Sequence, residues 1–382
     1  MINHDDSLNV IEVGTAANIP YYLAYGVRQY GIKSILILPK KISASELFYG
    51  FGSGNPLNID IIYSSGSHVI DGLVKSLFLM KKNDVIVHVH VGRDPYLNLL
   101  LWLFKYLNKL KMQNLHIIWH FHGSDLRTLS KKREIFLFLR SPIKKFLVST
   151  PDLIVYSKRI GIESEYFPNP TDPLINLKYA NSTFIRPSII NYINKLKYLS
   201  INKKIILIPT LQDIMKGFDI FLNLLSKSNT RDKLRKNTIF VIIKWGELTD
   251  RVIATLHMMR FNLHVLPILN KHEYYKLLGL SHIIIGQFRL GTLGLTELEA
   301  LAFGKPVIMG RLSRITRLVY SNMIPVYEVD ENNFDNIIDK LIYEESANGI
   351  EYQRRKEFVK KYHDINLVTK RFIKLINLII SK

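Results

Sequence analysis

The chain of 382 residues contains no cysteine. This absence excludes disulfide bonds, thiol nucleophiles and cysteine-ligated zinc, and it suits a reducing compartment. No uncharged apolar run reaches the roughly 20 residues that a membrane-spanning helix needs, and the longest candidate, 97–104, ends at Lys105. The N-terminal residues also lack the basic and apolar segments of a signal peptide. We therefore expect a cytoplasmic protein.

Acidic residues are scarce relative to basic ones. The chain has 52 Lys and Arg against 32 Asp and Glu, a formal net charge of +20. This balance favours an anionic partner, such as nucleic acid, anionic lipid or a phosphorylated substrate. The segment 81–145 alone holds 13 basic and 4 acidic residues, and its basic residues alternate with Phe and Leu. It predicts either a basic face that rests on an anionic membrane or a solvated surface over core aromatics. The chain contains no nucleic-acid-binding motif, so we expect no nucleic-acid partner.

The opening of the chain predicts a β-α-β unit. A strand at 9–13 ends at Gly14, a helix with apolar residues spaced every 3.6 positions follows from Ile19, and a second strand covers 34–38. This order is typical of a doubly wound parallel sheet. The loop at Gly14 has no G-x-G-x-x-G, so it is not a dinucleotide fingerprint. A second alternating series begins at Lys204. The pattern therefore predicts an α/β protein with two Rossmann-like domains.

Later segments continue both series. Predicted strands cover 84–91, 115–121, 152–156, 205–209, 238–243, 263–266, 282–285 and 306–309, and predicted helices cover 94–110, 189–199, 248–260 and 271–278. In the strand 115–121, alternation places His120 on the same face as His122, which follows the strand. Open α/β sheets bind ligands at the carboxyl ends of their strands. His122 is therefore a candidate site residue, or else a hydrogen-bonded structural histidine.

The stretch 286–309 carries the most specific pattern. A loop with three glycines precedes a predicted helix at about 296–303, where Thr296 and Glu299 have the spacing of a capping box. Gly304 suits the end of this helix, and Pro306 cannot continue it. Backbone N–H groups at the start of such a helix form an anion site. The pattern predicts a strand, an anion-binding loop, a helix and a further strand.

The segment G-T-L-G-L-T-E-L-E-A-L-A-F-G-K-P-V-I resembles the signature E-G-F-G-L-x-x-x-E-A-x-A-x-G-x-P-V of retaining glycosyltransferases of family four. The HGSDLR segment from His122 is also similar to that family. The resemblance implies the GT-B fold, with an acceptor-side domain at 1–173, a nucleotide-sugar-binding domain at 200–360 and a C-terminal helix, 361–382, that crosses back to the first domain. The two domains would face each other across a cleft.

The resemblance also implies an activity. A hexosyltransferase of this type moves a sugar from a nucleotide-diphosphate sugar to an acceptor, with retention of anomeric configuration. The glycine loop and Lys216 would hold the diphosphate, Glu299 would bind the ribose, and His122 would position the sugar or manage a proton. The implied donor-binding residues are Gly14, Lys216, Gly291, Thr292, Leu293, Gly294, Leu295, Thr296 and Glu299, and the implied catalytic residues are His122 and Glu299. The acceptor would be a glycan or a lipid-linked molecule.

Two departures leave alternatives open. The family's first glutamate falls on Gly291, and no arginine lies between Pro209 and Lys216, where the family often has one. A catalytically inactive nucleotide-sugar-binding subunit is therefore an alternative, as is a nucleotide-sugar epimerase on the same fold. The His-Gly pair and the E-A-x-A-x-G-x-P-V ending argue against the epimerase. The chain has no Asp-x-Asp, so we expect a metal-independent reaction, no metal ligands and no cofactor beyond the nucleotide sugar.

Overall fold

The computed structural model describes residues 8–14, 19–38, 59–63, 70–79, 84–90, 105–106, 114–127, 143–171, 185–321, 323–343 and 349–381. These residues form two compact units. The first unit comprises the described residues up to Pro170 together with those from His363 onward, and the second comprises the described residues from Thr171 to Tyr362.

The first unit contains a seven-stranded parallel sheet with the strand order β3-β2-β1-β4-β5-β6-β7. Its strands are β1 (Leu8–Val13), β2 (Lys33–Leu38), β3 (Asp60–Tyr63), β4 (Asp84–Val89), β5 (Leu115–Phe121), β6 (Ile143–Val148) and β7 (Glu165–Tyr166). Its helices are α1 (Ile19–Arg28), α2 (Ile70–Leu79), α3 (Ser124–Arg127), α4 (Leu153–Arg159) and the last helix of the chain, α14 (Ile365–Ile380).

Both faces of this sheet are covered, as parallel sheets require. Along β4, Val85 and Val87 pack into one apolar cluster and Ile86 into the other. The second cluster includes Phe372 and Ile376 of α14, so the expectation that the last helix packs on the N-terminal domain is confirmed. Helices α1 and α14 approach closely at Gly26 of α1, where an added Cβ would lie 2.0 Å from the hydroxyl of Thr369 in α14.

The second unit contains a six-stranded parallel sheet with the strand order β10-β9-β8-β11-β12-β13. Its strands are β8 (Lys204–Ile208), β9 (Thr238–Ile243), β10 (Leu263–Leu266), β11 (Ile283–Ile285), β12 (Val307–Met309) and β13 (Tyr327–Glu328). Its helices are α5 (Pro187–Leu199), α6 (Phe218–Lys227), α7 (Arg231–Asn237), α8 (Thr249–Met258), α9 (Lys271–Leu280), α10 (Leu295–Ala302), α11 (Arg314–Val319), α12 (Phe334–Tyr343) and α13 (Ile350–His363). The two parallel sheets confirm the predicted α/β class with two Rossmann-like halves.

One predicted element is wrong. The segment 152–156 is not a strand, because α4 begins at Leu153, and the sixth strand of the sheet is β6 instead. Leu153 and Ser157, one helical turn apart, are buried, whereas Val155 is 38% exposed. A short apolar run does not by itself distinguish a buried strand from a helix with one buried face.

Most of the basic segment 81–145 lies outside the described residues, as does the predicted helix at 94–110 except for Lys105 and Tyr106, which are helical. Where its end is described, Lys144 and Lys145 belong to β6 and not to a helix. None of the described helices is both long and apolar enough to cross a membrane.

Candidate functional site

The loop that follows β11 leads directly into α10, and its helix start differs from the prediction. Gly294 is extended and precedes the first helical residue, so the third helical residue is Glu297. The Glu297 carboxylate accepts the N–H of Gly294 at 2.8 Å and the N–H of Gln287 at 3.0 Å. The predicted capping pair of Thr296 and Glu299 is therefore wrong by two positions. The Thr-x-x-Glu spacing matches a capping box, but the helix begins at Leu295, directly after the glycine loop.

Lys216 lies beside this helix start. It follows β8, and its ammonium donates a hydrogen bond of 3.2 Å to Oε1 of Gln287. Its carbonyl accepts the N–H of Phe288 at 2.6 Å. Burial raises the pKa of the Glu297 carboxyl, whereas the nearby positive charge of Lys216 lowers it. The ammonium and the amino end of α10 thus lie at the carboxyl edge of one sheet, where this fold class binds ligands.

The loop after β8 and the loop after β11 each contain a glycine at a close backbone approach. Gly217 has φ +77°, and an added Cβ would lie 2.8 Å from the backbone nitrogen of Arg289. Gly291 has φ +63°, and its carbonyl accepts the N–H of Ser313 at 2.8 Å. A Cβ at Gly291 would lie 2.9 Å from that nitrogen. A glutamate at Gly291 would therefore strain this backbone, so the departure from the family signature is part of the loop's conformation.

Among the remaining predicted loop residues, Thr292 accepts a hydrogen bond at its backbone and three others have buried side chains. The side chains of Leu293, Leu295 and Thr296 are buried. The carbonyl of Thr292 accepts a hydrogen bond from the side-chain amide of Gln287, a buried residue that the sequence did not single out. A single polar residue after an apolar strand is a weak signal in one sequence, because its role depends on contacts made 5 to 71 positions away.

Glu299 lies one turn further along α10 and is 2% exposed. Its carboxylate forms a buried ion pair with Lys271, the first residue of α9, and accepts a 2.8 Å hydrogen bond from the hydroxyl of Tyr275. Burial lowers the pKa of Lys271, and the charge of Glu299 raises it. The predicted ribose contact would therefore be made by a carboxylate that also neutralises a buried lysine.

His122 follows β5 in the first unit. Its backbone N–H and that of Gly123 donate to the Asp125 carboxylate at 2.8 Å and 2.7 Å, so Asp125 holds the turn into α3. The Nε2 atom of His122 lies 2.8 Å from Nδ1 of His90, the residue that follows β4. The backbone N–H of His90 in turn donates to the carbonyl of Val13, directly before Gly14.

His90 belongs to a buried polar cluster that the sequence only partly indicated. Nε2 of His90 lies 2.7 Å from Oε2 of Glu12, and Nδ1 of His88 lies 3.0 Å from the same oxygen. The His120 ring stacks on the His88 ring, with centroids 5.3 Å apart. Burial lowers the pKa of His88 and of His122 to about 3 and raises that of Glu12. The single acidic residue in β1 and the His-x-His spacing of β4 were the available signals.

Similarity to known proteins over the whole chain is found at the level of structure. No protein-family model and no curated protein sequence matches the chain. A glycosyltransferase from Rickettsia africae ESF-5 is 16% identical, with a TM-score of 0.68 over 99% of this chain and 100% of that one. HepE of Anabaena, in complex with UDP and glucose, is 10% identical, with a TM-score of 0.66 over 97% and 99%. Sucrose-phosphate synthase from Thermosynechococcus elongatus is 11% identical, with a TM-score of 0.64 over 98% and 99%.

The chain has the GT-B fold. At these identities the likeness establishes the architecture, and the chemistry must be argued from the residues. Of the predicted site residues, Gly14 and His122 belong to the first unit. His122 contacts His90, and Gly14 follows Val13, whose carbonyl accepts the N–H of His90. Lys216, Glu299 and the loop 291–296 belong to the second GT-B unit, where Lys216 and the loop lie together and Glu299 lies one turn behind them.

Proposed function

We propose that the chain is a retaining glycosyltransferase that transfers a sugar from a nucleotide-diphosphate sugar to an acceptor. The observation that carries this proposal is the position of the Lys216 ammonium beside the amino end of α10. One cation together with helix-start N–H groups provides the charge and the donors that a diphosphate needs. The Anabaena protein of the same fold, crystallised with UDP and glucose, supports the same class of ligand.

Bond breaking in a nucleotide sugar places negative charge on the departing diphosphate and positive charge on the sugar. Fixed donors that point at the diphosphate stabilise this transition state. In the proposed reaction, Lys216 and the N–H groups of the loop 291–296 fill that role without a metal ion at the diphosphate. The acceptor attacks from the face that the diphosphate leaves, so configuration is retained without a protein nucleophile. Glu299 binds the ribose, and His122 orients the sugar or receives the acceptor's proton.

The first test is a thermal-shift panel of UDP, GDP and ADP with their common sugars, using the full chain. A ligand that binds only the folded state stabilises it, by about 2.7 kcal/mol at 100 times its Kd. We expect one nucleoside diphosphate to raise the melting temperature and the corresponding uncharged nucleoside to leave it unchanged. A panel in which no diphosphate raises the melting temperature more than its nucleoside would contradict the proposed donor site.

A second candidate is a nucleotide-sugar-binding subunit without catalytic activity. The observation that favours it is Gly291, whose backbone has no room for the glutamate that the family places there. Turnover separates the two candidates. A transferase converts a radiolabelled nucleotide sugar to labelled product and nucleoside diphosphate in the presence of an acceptor extract, whereas a binding subunit shows the thermal shift without turnover.

We propose that the acceptor is lipid-linked and that the first unit rests on an anionic membrane. In this unit a groove of about 620 Å³ is lined by both basic and apolar side chains. Arg371 and Lys374 of α14 line it beside Leu378, which is 52% exposed. A surface of this composition combines attraction to anionic headgroups with apolar contact to the bilayer.

This membrane proposal predicts stronger binding to vesicles of phosphatidylglycerol than to vesicles of phosphatidylcholine at low salt. The charge reversal Lys374→Glu should weaken the binding, because each basic residue near the surface contributes about 1 kcal/mol. The matched control is Lys236→Glu, at an exposed position of the second unit. Equal binding to both vesicle types, or equal loss in the two variants, would exclude this surface.

A further inference from the structure

We propose that Glu12, His88, His90 and His120 form a binding site for a divalent transition-metal ion, with Zn²⁺ the best fit, inside the first unit. This inference does not rest on the proposed transferase activity. Its residues belong to the first unit, whereas the proposed diphosphate-binding residues belong to the second.

The donor atoms already have the separations of a metal site. Oε2 of Glu12, Nδ1 of His88 and Nε2 of His90 form a triangle with sides of 2.7, 3.0 and 3.1 Å. Ligands bound at about 2.1 Å lie roughly 3.0 to 3.4 Å apart in octahedral and tetrahedral sites. The ligand atoms of His88, His90 and His120 also lie within 4.8 Å of one another, so His120 is placed to supply a further ligand.

Hydrogen bonds alone do not account for His120. Both of its ring nitrogens are buried and have no hydrogen-bond partner in the part of the chain that the structure describes. A buried imidazole without any hydrogen bond has lost the water contacts of its lone pair as well as those of its N–H. Coordination by one nitrogen would satisfy a lone pair of His120 and explain why this ring faces the other histidines.

The ligand types select the class of ion. Imidazole suits zinc, copper, iron and nickel, whereas calcium and magnesium prefer sites made of oxygen. One carboxylate with three imidazoles is a four-ligand set of the kind that zinc takes in tetrahedral sites. Among the described ion pairs, none joins Glu12 to a lysine or an arginine, so a bound cation would supply the countercharge of this buried carboxylate.

The sheet and its cover give the site rigidity and exclude water. Glu12 of β1 lies opposite His88 of β4 in the strand register, so the ligands come from neighbouring strands. Phe372 of α14 packs on the His88 ring with a centroid distance of 4.7 Å, and Phe167 packs edge-on against His120. With Nε2 of His90 on the ion, Nδ1–H of His90 donates to Nε2 of His122, as outer hydrogen bonds of metal-bound histidines do. The ion would thereby fix the orientation of His122.

The experiment uses the full chain, purified without a histidine tag. Elemental analysis should find about one zinc ion per chain, or the chain should take up about one Zn²⁺ or Co²⁺ after treatment with a chelator. Bound Co²⁺ should give absorption bands in the visible range, whose intensity reports tetrahedral coordination. Zn²⁺ should raise the melting temperature of the chelator-treated wild-type chain. This measurement does not depend on any variant.

Two variants and a control locate the site. His120→Asn and Glu12→Gln should each weaken Co²⁺ binding at least about tenfold. The control is His116→Asn, four positions before His120 in the same strand, where the histidine faces Asp84 at 3.6 Å and not the cluster. It should bind Co²⁺ like the wild type. Circular dichroism confirms that each variant is folded before the titration.

Three results would overturn the proposal. The first is a wild-type chain that contains no metal and whose melting temperature and visible spectrum do not change with Zn²⁺ and Co²⁺. The second is equal loss of Co²⁺ binding in His116→Asn and His120→Asn, and the third is undiminished Co²⁺ binding in folded His120→Asn and Glu12→Gln. If a ligand variant does not fold, the titration and melt of the wild-type chain decide the question alone.

Discussion

Replacing Glu299 by glutamine should lower the free energy of unfolding by about 3 kcal/mol, even without any nucleotide. The substitution leaves the ammonium of Lys271 buried, with a neutral amide in place of its ion-pair partner. Breaking a buried pair by removing one partner is costly because the other charge stays in a low-dielectric environment. Chemical denaturation of the two chains at pH 7 measures the difference.

The loss of stability in Glu299→Gln should become smaller as the pH rises. Without Glu299, burial keeps the pKa of Lys271 in the folded state below its value in the unfolded chain. The unfolded state then binds more protons between those two pKa values, and stability rises with pH wherever that holds. Denaturation of Glu299→Gln at pH 7 and at pH 9.5 should therefore show a smaller deficit, relative to the wild type, at the higher pH.

The double variant Lys271→Met, Glu299→Gln is the control that separates stability from binding. Removing both charges should restore most of the lost stability, because a buried ion pair can often be replaced by uncharged residues at little cost. If Glu299 binds the ribose, this stable double variant should still have a weakened affinity for the nucleoside diphosphate. A double variant that binds the nucleotide like the wild type would assign Glu299 a purely structural role.

The regular spacing of apolar residues along the sequence made much of the fold predictable. The strand Leu115–Phe121 and the strand Thr238–Ile243 have the predicted bounds, because each is mainly apolar and lies between polar residues. The last helix was also predictable, since Phe372 and Ile376 recur at helical spacing and both are fully buried. In such elements the period of the apolar residues agrees with the face that tertiary packing buries.

The interior of the site was less predictable, because its polar contacts join distant parts of the chain. Glu12 and His90 are 78 positions apart, and Lys271 and Glu299 are 28 apart. A glutamate in a strand or a lysine at a helix start is ordinary in sequence, and only the packed structure shows that each is buried beside its partner. The misplaced capping pair has a related cause, since the contacts of the glycine loop decide where α10 begins.

Replacing Lys216 by alanine should weaken binding of the nucleoside diphosphate and slow transfer. Removing one preorganised charged donor costs about 2–4 kcal/mol of transition-state stabilisation, which corresponds to a loss of about 30- to 1,000-fold in kcat/KM. The ammonium lies beside Gln287 and the start of α10, whereas Arg289, which also joins these two loops, is bound to Asp219 and to the carbonyl of Ile214. Isothermal titration with the nucleotide identified by the thermal-shift panel measures the affinity.

The matched control is Lys227→Ala, at the end of α6 in the same unit. Lys227 is 60% exposed and pairs with Glu331 at 2.9 Å, away from the loop, so its removal should change affinity and stability little. Lys216→Arg tests whether charge alone suffices, because a guanidinium has a planar set of donors and does not reproduce the point charge of an ammonium. We expect Lys216→Arg to recover part of the affinity. If folded Lys216→Ala and Lys227→Ala both bind and turn over like the wild type, the diphosphate lies elsewhere, and only the fold is shared with the glycosyltransferases.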